Sequence, residues 1–320
     1  MSGDWRQALA SILRDSRLRP DVPLRDLTTL RVGGPVDALV DVESEADLLA
    51  LLAWSERERI PRVMIGKGSN LLAPDEGLRG IAVRLGRAFS AVTPQGEEGW
   101  VRVGAGLANA AYVSQCRKWN LGGMEFLTAV PGTIGGAVAM NAGAHGHETA
   151  EFLESVRFVD VGRGVQSAPA EQFRFGYRQS PLRSHLGRIV VEALFRMIPS
   201  PAETIREREA EIQEYRRRTQ PREFPNCGSV FTNPPGDFAG RLIEQAGLKG
   251  RALGGAQVSA KHANFILNTG AATALEVLRL IDLVRETVYQ ETGVRLELEL
   301  QVMDSQGRFP GSAPSREGPA

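Results

Sequence analysis

Three short stretches carry more side chains able to do chemistry than folding alone asks for. They are Phe175-Gly176-Tyr177-Arg178-Gln179-Ser180, Asn226-Cys227-Gly228-Ser229-Val230-Phe231-Thr232-Asn233, and the polar face of residues 294–303. Tyr177 offers a hydroxyl and Arg178 a fixed cation, whose guanidinium matches a carboxylate as a two-pronged fork. A surface ion pair is the plainer account of Arg178 from the residues alone. Ser229 lies in a turn-like context without the G-x-S-x-G elbow of a serine hydrolase, so an activated nucleophile is not expected. A serine can instead act as a general acid toward a developing carbanion, given a second group to support it. Glu299 is a candidate for that group, with a solvated strand residue as the alternative for it as for Glu297.

Two glycine-bearing stretches suggest where a ligand would meet bare backbone. Residues 121–146 hold seven of the chain's 35 glycines, and glycine tolerates positive φ and lets another group approach the main chain. The apolar residues between them, including Phe126, Leu127, Ile134 and Val138, speak against a polar linker. The stretch reads as a packed loop and turn whose N–H groups face a phosphate or pyrophosphate; close packing of a helix on a sheet is the alternative. Residues 60–65 read as a strand running into Gly66-Lys67-Gly68-Ser69-Asn70-Leu71. Leu71 stands where the third glycine of a dinucleotide fingerprint would be, and Lys67 lacks the glycine spacing of a Walker loop, so both nucleotide motifs fail. A small turn rich in hydrogen-bond donors remains. His145, His147 and Glu148 cluster, yet no third ligand arrives at a telling spacing, so no metal site is expected. His262 reads equally as a binding or a structural residue.

The bulk of the chain limits its partners. Its 320 residues exceed one ordinary core, so two or three subdomains are expected. Lys+Arg and Asp+Glu stand at 38 each, which leaves no basic excess for nucleic acid or an anionic membrane. Cys116 and Cys227 form no C-x-x-C pair, which fits a reduced cytoplasmic protein, and Cys116 reads as a small buried apolar side chain. The arginine-bearing N-terminal segment lacks the apolar stretch of a signal peptide, and no apolar run approaches the roughly 20 residues that span a bilayer.

The elements that would position these groups mix strand and helix periodicities. A short helix is predicted near residues 5–13, a strand over 26–32 breaking at Gly33-Gly34-Pro35, a strand over 38–42, and a helix over 45–59 opened by a Ser44/Asp47 capping box. Strands follow at 60–65, 81–85 and 101–103, with 93–99 as a polar connection, then a helix over 106–119. Strands at 156–161 and 188–196 precede a charged helix capped by Ser200, with Pro201 first and Glu203 completing the box. Its thin apolar stripe of Ile205, Ile212 and Tyr215 predicts a mostly solvated helix that opens a new subdomain. Beyond it come a short helix near 238–246, brief strands at 256–258 and 265–267, and a long helix opened by Thr273 and Glu276 and stopped by Gly293. Residues 294–303 alternate without fault and predict a half-buried strand, while 304–320, rich in Gly, Pro and Ser, predict a disordered tail.

Seven stretches together resemble a known family. Residues 28–35, 65–72 and 123–146 with its Pro131-Gly132-Thr133-Ile134-Gly135-Gly136 core, then Phe175-Gly176-Tyr177-Arg178, residues 228–234, 258–266 and 296–300, are similar, in order, to UDP-N-acetylenolpyruvoylglucosamine reductases. The resemblance implies an α+β, FAD-binding fold of the p-cresol methylhydroxylase and vanillyl-alcohol oxidase type. Flavin-binding subdomains would occupy 20–85 and 86–199, and a UDP-sugar substrate domain 200–303. The fold explains the failed fingerprint, because it holds FAD through other loops. By the family pattern Arg31, Gly66, Lys67, Gly68, Ser69, Asn70, Leu71, Thr128, Pro131, Gly132, Thr133, Gly135, Gly136, Asn141 and Gly143 would bind the cofactor. Tyr177, Asn233, Gln257 and His262 would bind substrate.

The implied reaction has two halves in one site. Hydride passes from NADPH to FAD and then to the enolpyruvyl methylene of UDP-N-acetylglucosamine enolpyruvate, giving UDP-N-acetylmuramate for peptidoglycan synthesis. Arg178 and Glu299 would assist the enolate-like intermediate and Ser229 would protonate it. A buried glutamate beside a carboxylate substrate would need a shared proton or a raised pKa. Cys227 before the Gly-Ser pair departs from the family pattern, as does Lys67, which would add a phosphate contact. The short interval from Arg178 to Ser229 resembles the family's shorter form, which lacks a tyrosine-bearing loop, so whatever closes over the substrate must come from elsewhere. The alternatives are another FAD-dependent oxidoreductase of the same superfamily, or a flavin-binding module without turnover. A monomer suffices for this reading, and neither oligomeric state nor NADPH over NADH preference is set by the sequence.

Overall fold

The computed structural model describes residues 5–96, 98–183 and 187–310. A first sheet has the strand order Arg17–Pro23, Pro35–Val42, Leu78–Leu85, Arg62–Met64, with the first pair antiparallel and the others parallel. Helices α1 (Trp5–Ile12) and α2 (Glu45–Arg57) cover one face of it through Leu9, Leu48, Leu51, Leu52 and Trp54. The strand Arg17–Pro23 is unpredicted because its charges and Pro20 hide any alternation, which suits an edge. The strand expected over 26–32 is instead a 3-10 turn, Leu24–Asp26, and an irregular loop. Its apolar Leu30 and Val32 are buried in a different core, that of the third body described below.

Ser44 caps α2 by accepting from the Asp47 N–H at 3.2 Å, but the other half of the expected box is missing. The Asp47 carboxylate turns away to accept from the N–H groups of Arg14, Asp15 and Ser16 at 3.0, 2.9 and 2.8 Å. It thereby ties the connection after α1 to the start of α2.

The second sheet is antiparallel, with the order Gly164–Pro169, Leu153–Asp160, Arg188–Arg196, Trp100–Gly104, Val92–Gln95. The expected polar connection at 93–99 thus begins as the last of these strands. Helices α3 (Asn109–Lys118) and α4 (Ile134–Met140) pack on it around Tyr112, Phe126, Ile134 and Phe195. Cys116 is part of this core, and burial pushes its thiol up to about 12. Close packing of a helix, one of the two readings of the glycine-rich stretch, is present. The stretch contains a helix, and a Cβ on Gly135 would lie 2.9 Å from that of Ala105, while other glycines face open space.

Helix α5 (Ala202–Thr219) packs back on this second body instead of opening a free-standing third one. Ile205 is buried, Arg117 pairs with Glu209, and Gln213 donates to the Thr128 carbonyl at 3.1 Å. Its cap is not Ser200. Pro201 holds that position without a side-chain bond, and the Ala202 N–H is met from another element by Asn120 Oδ1 at 3.1 Å.

The third sheet runs Asn226–Ser229, Phe265–Asn268, Ala256–Val258, Ala252–Leu253, all antiparallel, under α6 (Ala239–Gln245) and α7 (Ala274–Thr292). Helix α7 carries the reciprocal Thr273/Glu276 box and ends at Gly293 with φ +72°. Asp75 of the first body also caps it, accepting from the N–H groups of Ala274 and Leu275 at 2.7 and 3.0 Å.

The returning segment is less regular than its alternation promises. Only Gln301–Val302 forms a strand, parallel to Leu71–Leu72, with one bridge from Leu298 to Phe231. Both Glu299 and Leu300 donate to the Val230 carbonyl, at 2.9 and 3.2 Å, which breaks the ladder. Residues 304–310, expected as tail, belong to the fold: Arg79 N donates to Ser305 O at 2.8 Å, and Phe309 packs on the first core. Residues 311–320 lie outside those described. Among the described residues no helix is long and apolar enough to cross a membrane.

Asp47 yields a stability prediction. Burial works to raise its pKa, but the N–H of Arg14, the Ser16 side chain and the other backbone donors outweigh it, so the carboxyl sits below its usual value. A depressed carboxylate contributes stability that is present above the unfolded pKa near ~3.9 and lost as pH falls through the folded one. Asp47→Asn should cost about 1–3 kcal/mol at neutral pH in urea unfolding, with the difference from wild type shrinking in acid.

Candidate active site

A cleft of about 1620 Å³ opens between the three bodies. It exceeds the roughly 300–1,000 Å³ of an ordinary ligand pocket and leaves room for a cofactor and a substrate together. One wall is the turn at residues 66–70. Gly68 has φ +58°, and a Cβ there would lie 2.2 Å from the Leu27 carbonyl, so only glycine lets the turn seat against residues 27–29. The Gly68 carbonyl accepts from Thr29 N at 3.1 Å, and Ser69 Oγ donates to the Pro131 carbonyl at 2.6 Å. That second bond links the two glycine-bearing stretches to each other.

The facing loop is fixed from behind. Asn109 donates from Nδ2 to Val130 O at 3.0 Å and from its backbone to Gly132 O at 3.1 Å. Thr133 caps α4, its Oγ1 accepting from Gly136 N at 3.4 Å. Among the described residues, the backbone N–H groups of residues 66–70, Gly132 and Thr133 donate to no protein acceptor. A Cβ on Gly136 would meet only Thr133 Oγ1, at 3.7 Å, and one on Gly228 would meet nothing within 4 Å. The N–H groups of residues 66–70, 132 and 133 are the donors to spare, the arrangement that receives phosphate oxygens without lysines, and Gly136 and Gly228 leave open space beside the backbone.

Another part of the cleft lining is where Arg178 meets Glu299. Tyr177 and Arg178 are the central residues of a tight turn closed by reciprocal Gly176–Gln179 backbone bonds of 3.1 and 2.8 Å, and Arg178 takes φ +55°. Arg178 Nε donates to Glu299 Oε1 at 2.9 Å and Nη2 to Gly143 O at 2.7 Å, while Nη1 is 4.0 Å from Glu148. Glu299 is held by its backbone, its N–H donating to Val230 O at 2.9 Å and its carbonyl accepting from Asn70 Nδ2 at 3.0 Å. Burial raises its pKa, and the charge and hydrogen bond of Arg178 oppose that rise. Ser229 borders the same cleft, and its hydroxyl makes no hydrogen bond among the described residues. Cys227 beside it is buried, its thiol pushed up to about 12 mainly by burial and further by Glu299.

Of the residues expected at the site, Arg31, those of the 66–71 turn, Pro131, Gly132, Thr133, Gly135, Gly136, Gly143, Arg178, Ser229 and Glu299 border the cleft together. Six do not. Thr128 faces α5. Asn141 is buried behind the wall, where Nδ2 donates to Glu148 and to Gly176 O at 2.7 and 2.9 Å, and Oδ1 accepts from Ala150 N. Tyr177 is exposed and stacks on its neighbour, the Arg178 guanidinium 5.0 Å from its ring. Asn233 Oδ1 accepts from Ala239 N at the start of α6. Gln257 Nε2 donates to Gly250 O. His262 packs on Phe265, and burial, with Lys249 nearby, holds its pKa down.

The sequence reading missed Asn109, Arg183 and the wall formed by residues 216–226, where Arg216, Arg222 and Phe224 line the cleft. Among the described residues no group of three or more His, Cys, Asp or Glu could hold a metal ion.

Comparison with known proteins agrees with this geometry. Residues 36–167 match an FAD-binding domain, and residues 220–303 match the C-terminal domain of UDP-N-acetylenolpyruvoylglucosamine reductase. The chain is 44% identical over 306 residues to UDP-N-acetylenolpyruvoylglucosamine reductase 2 of Symbiobacterium thermophilum, covering 95% of this chain and 98% of the relative. The reductase of Rubrobacter xylanophilus is 42% identical over 283 residues, covering 88% of this chain and 94% of its own. The crystal structure of the reductase from Thermus caldophilus superposes with a TM-score of 0.76 at 38% identity, covering 90% of this chain and 99% of that one.

The chain belongs to the UDP-N-acetylenolpyruvoylglucosamine reductase family. It is accordingly an FAD-dependent oxidoreductase, and the α+β FAD-binding fold expected from its sequence is the one it has. The free N–H groups of residues 66–70, Gly132 and Thr133 fit the pyrophosphate that FAD carries.

The turn at 66–70 makes a direct prediction. Gly68→Ala forces a left-handed alanine and a shift of the Leu27 carbonyl together, and should destabilise the enzyme by about 1–3 kcal/mol or more in denaturant unfolding. The companion Gly136→Ala, whose methyl would point into the cleft, should leave stability nearly unchanged.

Proposed function

We propose that Arg178, Ser229 and Glu299 carry the reductive step of the family's reaction in this cleft, and that the loops at 66–71 and 131–136, with Arg31 and Gly143, hold the cofactor. Membership gives the reaction: UDP-N-acetylglucosamine enolpyruvate is reduced to UDP-N-acetylmuramate in peptidoglycan precursor synthesis, with FAD bound and NADPH as hydride source. FAD, when bound, supplies the group that accepts hydride from NADPH and passes it to the enolpyruvyl methylene. The chain's own residues have three tasks around that transfer.

Addition of hydride to the methylene leaves an electron pair on the carbon that bears the ether oxygen and the carboxylate. Arg178 has its Nε and Nη2 committed to Glu299 and Gly143, which fixes the plane of the guanidinium and leaves Nη1, 4.0 Å from Glu148 and without a hydrogen bond among the described residues, for the substrate carboxylate. Delocalisation of the electron pair into that carboxylate makes a fixed cation most valuable as charge develops. Ser229 Oγ–H then gives its proton to the carbon, and the oxygen regains one from solvent, so that one hydride and one proton have been added across the double bond. Glu299, with its raised pKa, is positioned to share a proton with the incoming charge instead of repelling it.

The observation that carries this reading is the Arg178–Glu299 pair at 2.9 Å, formed between residues 121 positions apart and bordering the cleft that Ser229 also borders. A module that merely bound flavin would have no use for it. Residues 20–85 and 86–199 serve as the flavin-holding part and 200–303 as the substrate domain, α5 excepted. A single chain provides every residue invoked, so a monomer is sufficient. The free, buried state of Cys116 and Cys227 and the use of NADPH favour the cytoplasm.

Ser229→Ala tests the assignment. The purified variant should be yellow and should reduce its flavin with NADPH at close to the normal rate, while reoxidation by the enolpyruvyl substrate slows about 10²–10⁴-fold. Stopped-flow absorbance separates the two halves, and an equal loss in both would remove Ser229 from the proton-donating role.

A further inference from the structure

Arg178 does its work from an unfavourable backbone conformation. At φ +55° it occupies the second central position of a tight turn, where glycine or asparagine is the ordinary occupant. The turn is restrained from two sides. Asn141 Nδ2 donates to Gly176 O at 2.9 Å, and Arg183 Nη2 donates to the carbonyl of Arg178 itself at 2.6 Å.

Arg183 is an odd residue to find there. It borders the cleft, yet it has no ion pair among the described residues, and its Nε is buried without a hydrogen-bond partner. Burial holds its guanidinium below the ordinary arginine value. Its hydrogen bond among the described residues goes to the carbonyl of the left-handed residue itself, which restrains the peptide that leaves the turn. A charged group kept at this cost, and spent on a backbone carbonyl, points to that carbonyl as its purpose.

We propose that Arg183 is a positioning residue for the reductive step, its hydrogen bond to the Arg178 carbonyl locking the 176–179 turn so that the Arg178 guanidinium stays on Glu299. The inference rests on the roles given above to Arg178 and Glu299. It has an electrostatic consequence. The groups facing Glu299 are Arg178 from the turn, Cys227 and Ser229 from the neighbouring strand, and Asn70 from the 66–70 turn, which also carries Lys67; Glu148 approaches through Arg178. Arg178 is the cation in direct contact, and it opposes the rise that burial imposes on the Glu299 pKa. If the turn relaxes, that opposition weakens and Glu299 titrates at higher pH.

The test uses the FAD-loaded enzyme and measures reoxidation of the reduced flavin by UDP-N-acetylglucosamine enolpyruvate across pH. In Arg183→Met we expect FAD content, flavin spectrum and the NADPH half-reaction to be kept. Reoxidation should fall roughly 10- to 100-fold, the scale of a modest misplacement of a reacting group. The limb of the pH profile that belongs to Glu299 should move to higher pH. Arg183→Gln, polar but too short to reach the Arg178 carbonyl, should do the same and serves if the Met variant does not hold FAD. Arg183→Lys, which keeps a donor of sufficient length, should restore both rate and limb. A limb that stays in place in the Met and Gln variants, or a loss shared equally by both half-reactions, overturns the proposal. Glu299→Gln is the control: if the wild-type limb persists in it, the assignment of Glu299 fails, and if the limb vanishes there yet ignores Arg183, the Arg183 proposal alone fails.

Discussion

The contact on which the rest depends is the ion pair between Arg178 and Glu299, because it joins the second body to the third across the cleft. Both side chains are 18% exposed, so neither charge has its full hydration. Such a pair gains little net stability, since the cost of desolvating both ions approaches their attraction. The fold nevertheless spends a strained turn, a buried asparagine and a second arginine on keeping Arg178 in place. On the other side, a bridged and irregular segment holds Glu299 through bonds to Val230 and Asn70. Structure maintained against its own energetic interest is the usual mark of a functional site.

The same segment shows why the three bodies act as one scaffold. Asn70 donates to the Glu299 carbonyl and accepts from Gln301 N at 3.1 Å, so the turn with the free N–H groups and the backbone of the glutamate are one hydrogen-bonded unit. Leu30, Val32 and Leu72, from the N-terminal part of the chain, complete the core of the third body. Asp75 caps the long helix of that body. The 66–70 turn and the Glu299 carboxylate therefore cannot drift apart without opening a hydrophobic core.

Much of the site was legible in the sequence, and what escaped has a common cause. The turn at 66–71 and the loop at 131–136 announce themselves because bare backbone needs glycine, and glycine is visible in a string. Arg178, Ser229 and Glu299 are visible only as a set, through resemblance, since each alone has a plainer use. Asn141, Asn233 and His262 were placed at the site by the family resemblance, yet in this fold each hydrogen-bonds or packs within the scaffold. An asparagine that caps a turn and one that grips a ligand have the same local sequence signal. The failures at Ser200, at residues 294–303 and at residues 304–310 are also non-local. Asn120 supplies the cap that Ser200 was expected to give, Val230 draws two N–H groups from what should have been a ladder, and the first core receives Phe309 from what should have been a tail.

The charge state of the site follows from what burial does to its two acidic neighbours. Cys227 lies beside Glu299, and a thiolate there would add a second negative charge to a space that must receive a carboxylate. Burial pushes that thiol up to about 12, so it stays neutral at any working pH. Glu299 is also disfavoured as an anion by burial, but Arg178 offsets this in part. The balance leaves the carboxyl responsive to one further charge. On the roles proposed for Arg178 and Glu299, a substrate carboxylate that took its share of Arg178 would lower the support for ionised Glu299 and raise its proton affinity. Under that proposal binding itself would bring a proton to the place where negative charge develops, without any base or metal being moved.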